Sequence, residues 1–521
     1  MTAVALGAEA MITAFIPAYS QVLPQSADYV RILPEIVLSI CGIIVMLMEP
    51  LLDERTGQRV LGRIAFVGSL AGIAATWFMA QSPGTAFWNM VQVDGFSVFF
   101  HVLVIAIAAV VILSSYEYMS VQRIRAGEYY ALILFGVVGM ALMSSAVELV
   151  LIFIALEISS ISSYVLTGFR RHEAASAEAS LKYFLLGSFA TAFFLYGVAL
   201  MFGATGSTNI DEISRTLQSG PIPLLAFVAV AMMFVGLGFK VAAAPFHVWT
   251  PDVYEGAPAP IVGLMSTAPK AAAFAVLLRV VFVINVPGNF WLVWVSAALS
   301  MTLGNVGALV QNNVKRLLAY SSIAHAGYLL VAFAATPAMG TSAAMFYAAS
   351  YAAMNLGAFA VVSHFANAGE RYVTLDDYEG LGRSSPLLAA TLTIFLLSLI
   401  GIPMTGGFFA KFYVFSAAVK ANLIWLTVIG VLNSGIGAYY YLRIIVVMYM
   451  REARKAVPLT RIPLSLGLAL AACTATTIYL GIFPGRVLQY AQDSAEQLVR
   501  QSSPEPATPS SPPVSVAREP L

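Results

Sequence analysis

Charge is scarce in this chain: Asp, Glu, Lys and Arg make up 10% of its 521 residues, against about 25% in a soluble globular domain. That supply is too small to cover a water-facing surface. With hydrophobic residues at 60% and a mean hydropathy of +0.84, the composition is that of a polytopic membrane protein. Cysteine is nearly lacking as well. Cys41 and Cys473 sit in apolar runs near opposite ends of the chain, which excludes a disulfide framework or a cysteine metal cluster. A net charge of +1 argues against nucleic acid as a partner. Gly-rich phosphate loops, metal-ligand spacings and nucleophile-base arrangements are also missing, so no cofactor or metal is expected on this chain. The first residues carry no basic stretch ahead of their apolar part and do not read as a cleaved signal peptide.

What the chain has in quantity is apolar sequence in lengths that cross a bilayer, about 20 residues each. Windows of that kind predict fourteen spans, near 31–50, 61–80, 94–115, 128–146, 148–169, 178–203, 222–250, 258–284, 290–310, 315–336, 342–366, 385–418, 421–450 and 462–484. The fold class expected is therefore all-α, with about fourteen transmembrane helices. Lys and Arg collect in cytoplasmic loops. If both termini lie outside, seventeen of the 27 basic residues fall on the inner side, among them Arg55, Arg59, Arg63, Arg123, Arg125, Arg170, Arg171 and Lys455. This places the chain in a bacterial inner membrane with both termini on the outer side. The Pro/Ser-rich stretch from about residue 501 cannot bury apolar surface and is expected to be disordered.

Against this apolar background a few titratable groups stand out. Lys240, Lys270 and Lys411 lie inside spans, where an ammonium costs about 2.5 to 3.5 kcal/mol even on the mildest scale. Glu157 is placed in the same way. Such groups mark proton or ion pathways by default. Two of the lysines stand beside breaks: Lys240 precedes Pro245 in the seventh span, and Lys411 follows Pro403, Gly406 and Gly407 in the twelfth. Broken helices in matching positions of two halves point to a transport site in an inverted-repeat protein. Spans four to eight and nine to thirteen are accordingly expected to form two inverted five-helix repeats. The domain boundaries that follow are an N-terminal extension 1–30, peripheral spans 31–127, repeats 128–284 and 285–450, a loop, last span and outer end 451–500, and the tail 501–521.

His247, after Lys240 at the break, and His325, in the polar run SSIAH, both exchange protons near neutral pH and are candidate bridging residues. Lys182 is either a further relay member or a side chain reaching to the interface. Glu35 and Asp94, at span starts, are expected at the interface; His101 and His364 are expected to be structural. Asp252 and Glu255 belong to a connection that is a candidate proton gate. A carboxyl at Glu157 kept protonated by Ser159, Ser160 and Ser163 is the alternative to its pairing with a lysine.

The segments GLGFKVAAAPFHVWTPDVYEGAPAP (236–260), VKRLLAYSSIAHAGYLL (314–330) and GIPMTGGFFAKFYVF (401–415) resemble the antiporter-like membrane subunits of respiratory complex I, and among these the subunit N, chain 2 type. The resemblance extends over about 31–490. It implies a proton-translocating module of an NADH-quinone oxidoreductase whose NADH, flavin, iron-sulfur and quinone chemistry belongs to other subunits. It further implies other membrane and hydrophilic subunits as partners, with lipid, water and protons. By the same resemblance Glu157, Lys240, Lys270 and Lys411 form the relay, with His247 and His325 bridging. Relatives of the same fold leave two alternatives, a cation/proton antiporter subunit and a membrane-bound hydrogenase subunit. A scaffold or quinone-site protein is a third.

Overall fold

A computed structural model describes residues 23–122, 127–284, 286, 289–366, 368–454, 457 and 461–502. The N-terminal extension up to residue 22, the tail from residue 503, and Arg123, Arg125 and Lys455 lie outside the described residues. The chain is almost wholly helical. Its principal helices are α1 (Leu33–Met48), α2 (Glu54–Ala80), α3 (Gly95–Gln122), α4 (Gly127–Ser145), α5 (Leu149–Thr167), α6 (Ala174–Thr205) and α7 (Leu224–Val241). They continue with α8 (Ala259–Arg279), α9 (Asn289–Leu309), α10 (Val314–Phe333), α11 (Pro337–Ala366), α12 (Pro386–Ile400), α13 (Gly406–Lys420), α14 (Ile424–Met450), α15 (Leu464–Ile482) and α16 (Gly485–Ser502).

Thirteen of the described helices are long and apolar enough to cross a membrane. The twelfth predicted span is instead two half-helices, α12 and α13, because Gly401 turns the backbone into the left-handed region at φ 94°. The seventh span is also interrupted. α7 stops at Ala242, φ 59°, and after residues 243–249 the chain resumes as a short helix, Thr250–Gly256. Backbone freed at this depth must find partners inside the protein. Here α9 supplies them: Ser300 Oγ accepts from Ala244 N at 2.7 Å, and Ser296 Oγ donates to Ala244 O at 2.6 Å.

α8, α10 and α11 form the centre and are almost entirely enclosed, whereas α1, α6, α14 and α15 keep much of their surface outward. Large apolar side chains such as Trp77, Phe189 and Trp425 face out from the bundle, as lipid contact requires. Association of such helices rests on close packing rather than on exclusion of water. α9 meets α10 where Gly304 lets the backbones touch; a Cβ there would stand 2.5 Å from Ala324 N.

A small antiparallel hairpin, β1 (Gly84–Ala86) and β2 (Val91–Val93), joins α2 to α3. The amphipathic α16, which the apolar windows do not reveal, buries Ala491, Ala495 and Leu498 and donates from Tyr490 Oη to Gly95 O at 3.2 Å. Both mark the same end of the bundle, the one where α1 and α3 begin.

Candidate functional site

Each of the three predicted lysines is buried, and each ammonium is held by a serine hydroxyl rather than by a carboxylate. At the end of α7, Lys240 Nζ donates to Ser160 Oγ of α5 at 2.8 Å. Lys270, in the middle of α8, donates to Ser322 Oγ of α10 at 2.6 Å and to Ser322 O at 3.3 Å. In α13, Lys411 donates to Ser434 Oγ at 2.8 Å and to the carbonyls of Leu399 and Ile400 at 3.1 and 2.9 Å. Those two carbonyls are released where α12 ends, and a cation at a helix C-terminus is favoured by the backbone dipole. The second helix break therefore builds the seat of its own lysine.

Between Lys270 and Lys411 lies a chain of polar side chains. Ser322 Oγ, which holds Lys270, also accepts from Tyr351 Oη at 2.8 Å. The ring of Tyr351 lies 5.1 Å from that of His325. His325 contacts Tyr347 Oη through Nδ1 at 2.7 Å and Tyr441 Oη through Nε2 at 3.3 Å, and Tyr441 in turn bonds to Ser321 Oγ. Tyr440, whose ring lies 4.4 Å from that of Tyr441, donates to Asn305 Oδ1 at 3.0 Å. Asn305 Nδ2 donates to Tyr328 Oη at 3.0 Å, and Lys411 Nζ sits 4.8 Å above the Tyr328 ring. Lys270, Thr267, Ser322, His325, Tyr347 and Tyr351 line one small cavity together with apolar side chains such as Phe274 and Leu329.

The first half of the expected relay is assembled differently from its prediction. Glu157 and Lys240 do not form an ion pair among the described residues. Glu157 Oε1 is buried without a hydrogen-bond partner. The neighbouring serines do not satisfy it: Ser160 and Ser163 bond back to Leu156 O and Ser159 O. His247 is half-buried, its Nδ1 is buried without a partner, and no hydrogen bond joins it to either lysine. Lys182 lies outside the buried chain. It is partly exposed and pairs with Glu178 at 2.8 Å and Asp252 at 2.9 Å. Asp252 also meets Arg316 at 2.7 Å, and Arg316 meets Glu255 at 2.8 Å. The Lys182 ammonium, followed by Arg316, holds the Asp252 carboxyl below its usual range. These pairs tie the short helix after the break to α6 and α10.

Two buried charge clusters were not expected from the sequence. At the end of the bundle carrying that short helix, Glu370 accepts from Lys315 Nζ at 2.6 Å, Tyr118 Oη at 2.8 Å and Ala259 N at 2.7 Å, with Arg170 at 3.6 Å. Burial alone raises its pKa, but Lys315 and Arg170 outweigh burial and bring it below the usual carboxylate range. At the opposite end, Glu35 and Asp94 are both buried at helix starts. Glu35 meets His101 at 2.8 Å, and Asp94 meets Arg279 at 3.2 Å. Tyr347 and Tyr351 carried one readable signal, since a spacing of four places both on one face of α11. Glu370, Lys315 and Arg170 looked like ordinary loop and helix-end charges.

Among the described residues no group of three or more His, Cys, Asp and Glu is placed to hold a metal ion. Residues 146–437 match the family model described as NADH:quinone oxidoreductase/Mrp antiporter, TM. The chain is 67% identical over 481 residues to NADH-quinone oxidoreductase subunit N 2 of Koribacter versatilis, covering 91% of this chain and 98% of that one. It is 50% identical over 477 residues to subunit N 1 of Solibacter usitatus, covering 90% and 98%. Among solved structures, a chain of respiratory complex I from Thermus thermophilus is 36% identical with a TM-score of 0.76, covering 88% of this chain and 98% of that chain. A chain of the Mrp complex from a Dietzia species is similar at 20% identity and a TM-score of 0.79, covering 91% and 97%. That last likeness speaks for the fold alone.

Proposed function

Since the chain belongs to the NADH:quinone oxidoreductase/Mrp antiporter family of membrane subunits, we propose that it is the subunit N of a proton-translocating NADH-quinone oxidoreductase and that its buried lysines carry the protons. Other complex I subunits are its partners, and the hydrophilic ones hold the NADH, flavin and iron-sulfur sites. The membrane is a bacterial inner membrane. Both termini lie outside, and the repeats divide at 128–284 and 285–450. The observation that carries the mechanism is the polar chain from Lys270 through Ser322, Tyr351, His325, Tyr441, Tyr440, Asn305 and Tyr328 to Lys411.

A lysine held by a neutral hydroxyl has no carboxylate beside it to fix its charge, and that hydroxyl is the nearest acceptor for its proton. Glu157 supplies the control. Its bare Oε1 and the Ser160-held Lys240 are an opened pair. Closing that pair to about 4 Å is worth roughly 4 kcal/mol at an effective dielectric of 20. Moving one proton against about 180 mV costs roughly 4 kcal/mol from the membrane field. Opening and closing one ion pair is thus matched in energy to one proton transfer. Lys270 receives the proton, the hydroxyl and imidazole groups pass it on with water bridging the links that are ring contacts, and Lys411 releases it where the twelfth span is broken.

The test is Lys270→Arg beside Lys270→Ala in the assembled complex, reconstituted in vesicles. Arginine keeps the cation and cannot deprotonate. A relay loses NADH-driven proton uptake in both variants by about tenfold or more; a scaffold tolerates arginine. Retention of wild-type uptake by Lys270→Arg overturns the reading.

A further inference from the structure

Glu35 and His101 face each other outside the lysine chain, and the mechanism above makes no use of them. Glu35 is the third residue of α1, and His101 lies two turns into α3. Both are buried. His101 Nδ1 lies 2.7 Å from Ser97 O and 2.9 Å from Ser144 Oγ, and that hydroxyl already donates to Ala141 O at 2.7 Å. A carbonyl only accepts, and a hydroxyl whose hydrogen is committed elsewhere also accepts. Nδ1 therefore carries a hydrogen. The other ring nitrogen, Nε2, is 2.8 Å from Glu35 Oε1, and at that separation one proton must lie on the line between them. It belongs either to an imidazolium facing a carboxylate or to a carboxylic acid facing a neutral imidazole. Either form leaves the pair with no net charge, which is what a low-dielectric site favours.

Three further observations make this more than a buried hydrogen bond. Glu35 Oε2 is buried and has no partner, so the carboxyl has an oxygen open to a second proton. Ser144, whose hydroxyl meets His101, accepts through its carbonyl from Arg279 Nη2 at 3.4 Å. Arg279 closes the end of α8, the helix that carries Lys270, and pairs with Asp94, which caps α3 by accepting from Ser97 N at 2.7 Å. The same short segment of α3 thus holds both His101 and the partner of Arg279.

We propose that Glu35 and His101 form a second proton-holding site, distinct from the lysine chain, and that the charge of a proton added at Glu35 acts on the end of α8 through Ser144 and the Arg279–Asp94 pair. The charged and titratable groups around it are Asp94 ahead of α3, Arg279 on α8, Asp211 within electrostatic reach of both, and Tyr490 of α16 within reach of Asp94. Its occupancy changes during turnover, and the consequence for pumping rests on the function proposed above.

The experiment uses Glu35→Gln and Glu35→Asp in the assembled complex in vesicles, with NADH-driven proton uptake and NADH oxidation measured from pH 6 to 8, a range of about one unit either side of neutral. Glutamine keeps the shape and cannot take up a proton. The expected result is a loss of uptake of about tenfold with a flattened pH profile for Glu35→Gln, and recovery of most of the uptake and of the profile in Glu35→Asp. Wild-type uptake and profile in Glu35→Gln would overturn the proposal, as would an equal loss in both variants with an unchanged profile, the mark of a packing role. If Glu35→Gln does not assemble, His101→Gln is measured in its place, and a wild-type profile overturns the proposal equally. Lys270→Arg, run in parallel, separates the two ideas: loss there with normal Glu35→Gln removes only this inference, and normal uptake there removes the relay.

Discussion

Glu370 shows how much a single buried carboxylate can hold. One side chain balances Lys315 and Arg170 and satisfies the hydroxyl of Tyr118 and the first amide of α8. Removing its charge leaves two buried cations unmatched, a change that costs about 3 to 5 kcal/mol. Glu370→Gln is expected to lower the thermal unfolding midpoint of the purified complex at neutral pH. The pH dependence follows from the direction of its shift. A carboxyl whose folded pKa is lowered stabilises fully above its unfolded value, near 4.5, and loses that contribution as pH falls through the lower folded value. The difference in midpoint between wild type and Glu370→Gln should therefore shrink only below about pH 4.5; a constant difference down to pH 3, well under the reference carboxylate value of about 4.3, would remove Glu370 as its source.

At the scale of elements, the helix breaks and the close helix contacts decide what the buried side chains can reach. The release of Leu399 O and Ile400 O by the turn at Gly401 gives Lys411 its partners. The interruption after α7 turns the chain into the helix whose acidic residues pair with Lys182 and Arg316. The α9–α10 contact brings Asn305 beside Tyr328. Gly304→Ala would place a Cβ against the α10 backbone at Ala324 and force the two helices apart, at a cost of about 1 to 3 kcal/mol for overpacking. The expected outcome is a lower thermal midpoint together with reduced proton uptake, because the Asn305–Tyr328 link lengthens. Unchanged values for both would show that the contact is looser than described.

For the whole molecule, the polar chain begins on the central α8, α10 and α11 and runs through Asn305 of α9 and Tyr440 and Tyr441 of α14 to Lys411 of α13. The exposed apolar belt continues over many helices, as a multi-pass membrane protein requires. Membership of the family predicts that the chain migrates with an NADH-oxidising activity on a native gel after mild detergent extraction. Migration as a free subunit under conditions that preserve the activity would count against its place in the complex.

The sequence by itself determined the class, the apolar helices, both breaks and the three lysines that stand out in apolar runs, with fourteen spans predicted where thirteen helices are long enough to cross and the twelfth span is split. Each of these is a local property: about 20 apolar residues span a bilayer, a proline or glycine interrupts a helix where it stands, and a lone ammonium is conspicuous in an apolar run. Only the tertiary structure decided which polar groups meet. Lys240 finds Ser160, Lys270 finds Ser322, and Glu370 joins Lys315 and Tyr118 across long stretches of chain. The partners of Glu35, Asp94 and Lys182 were not legible in the sequence, because burial and pairing are results of packing. Away from bulk water a buried polar group depends on what packs beside it, and the partner is whichever side chain the neighbouring helix presents at that depth.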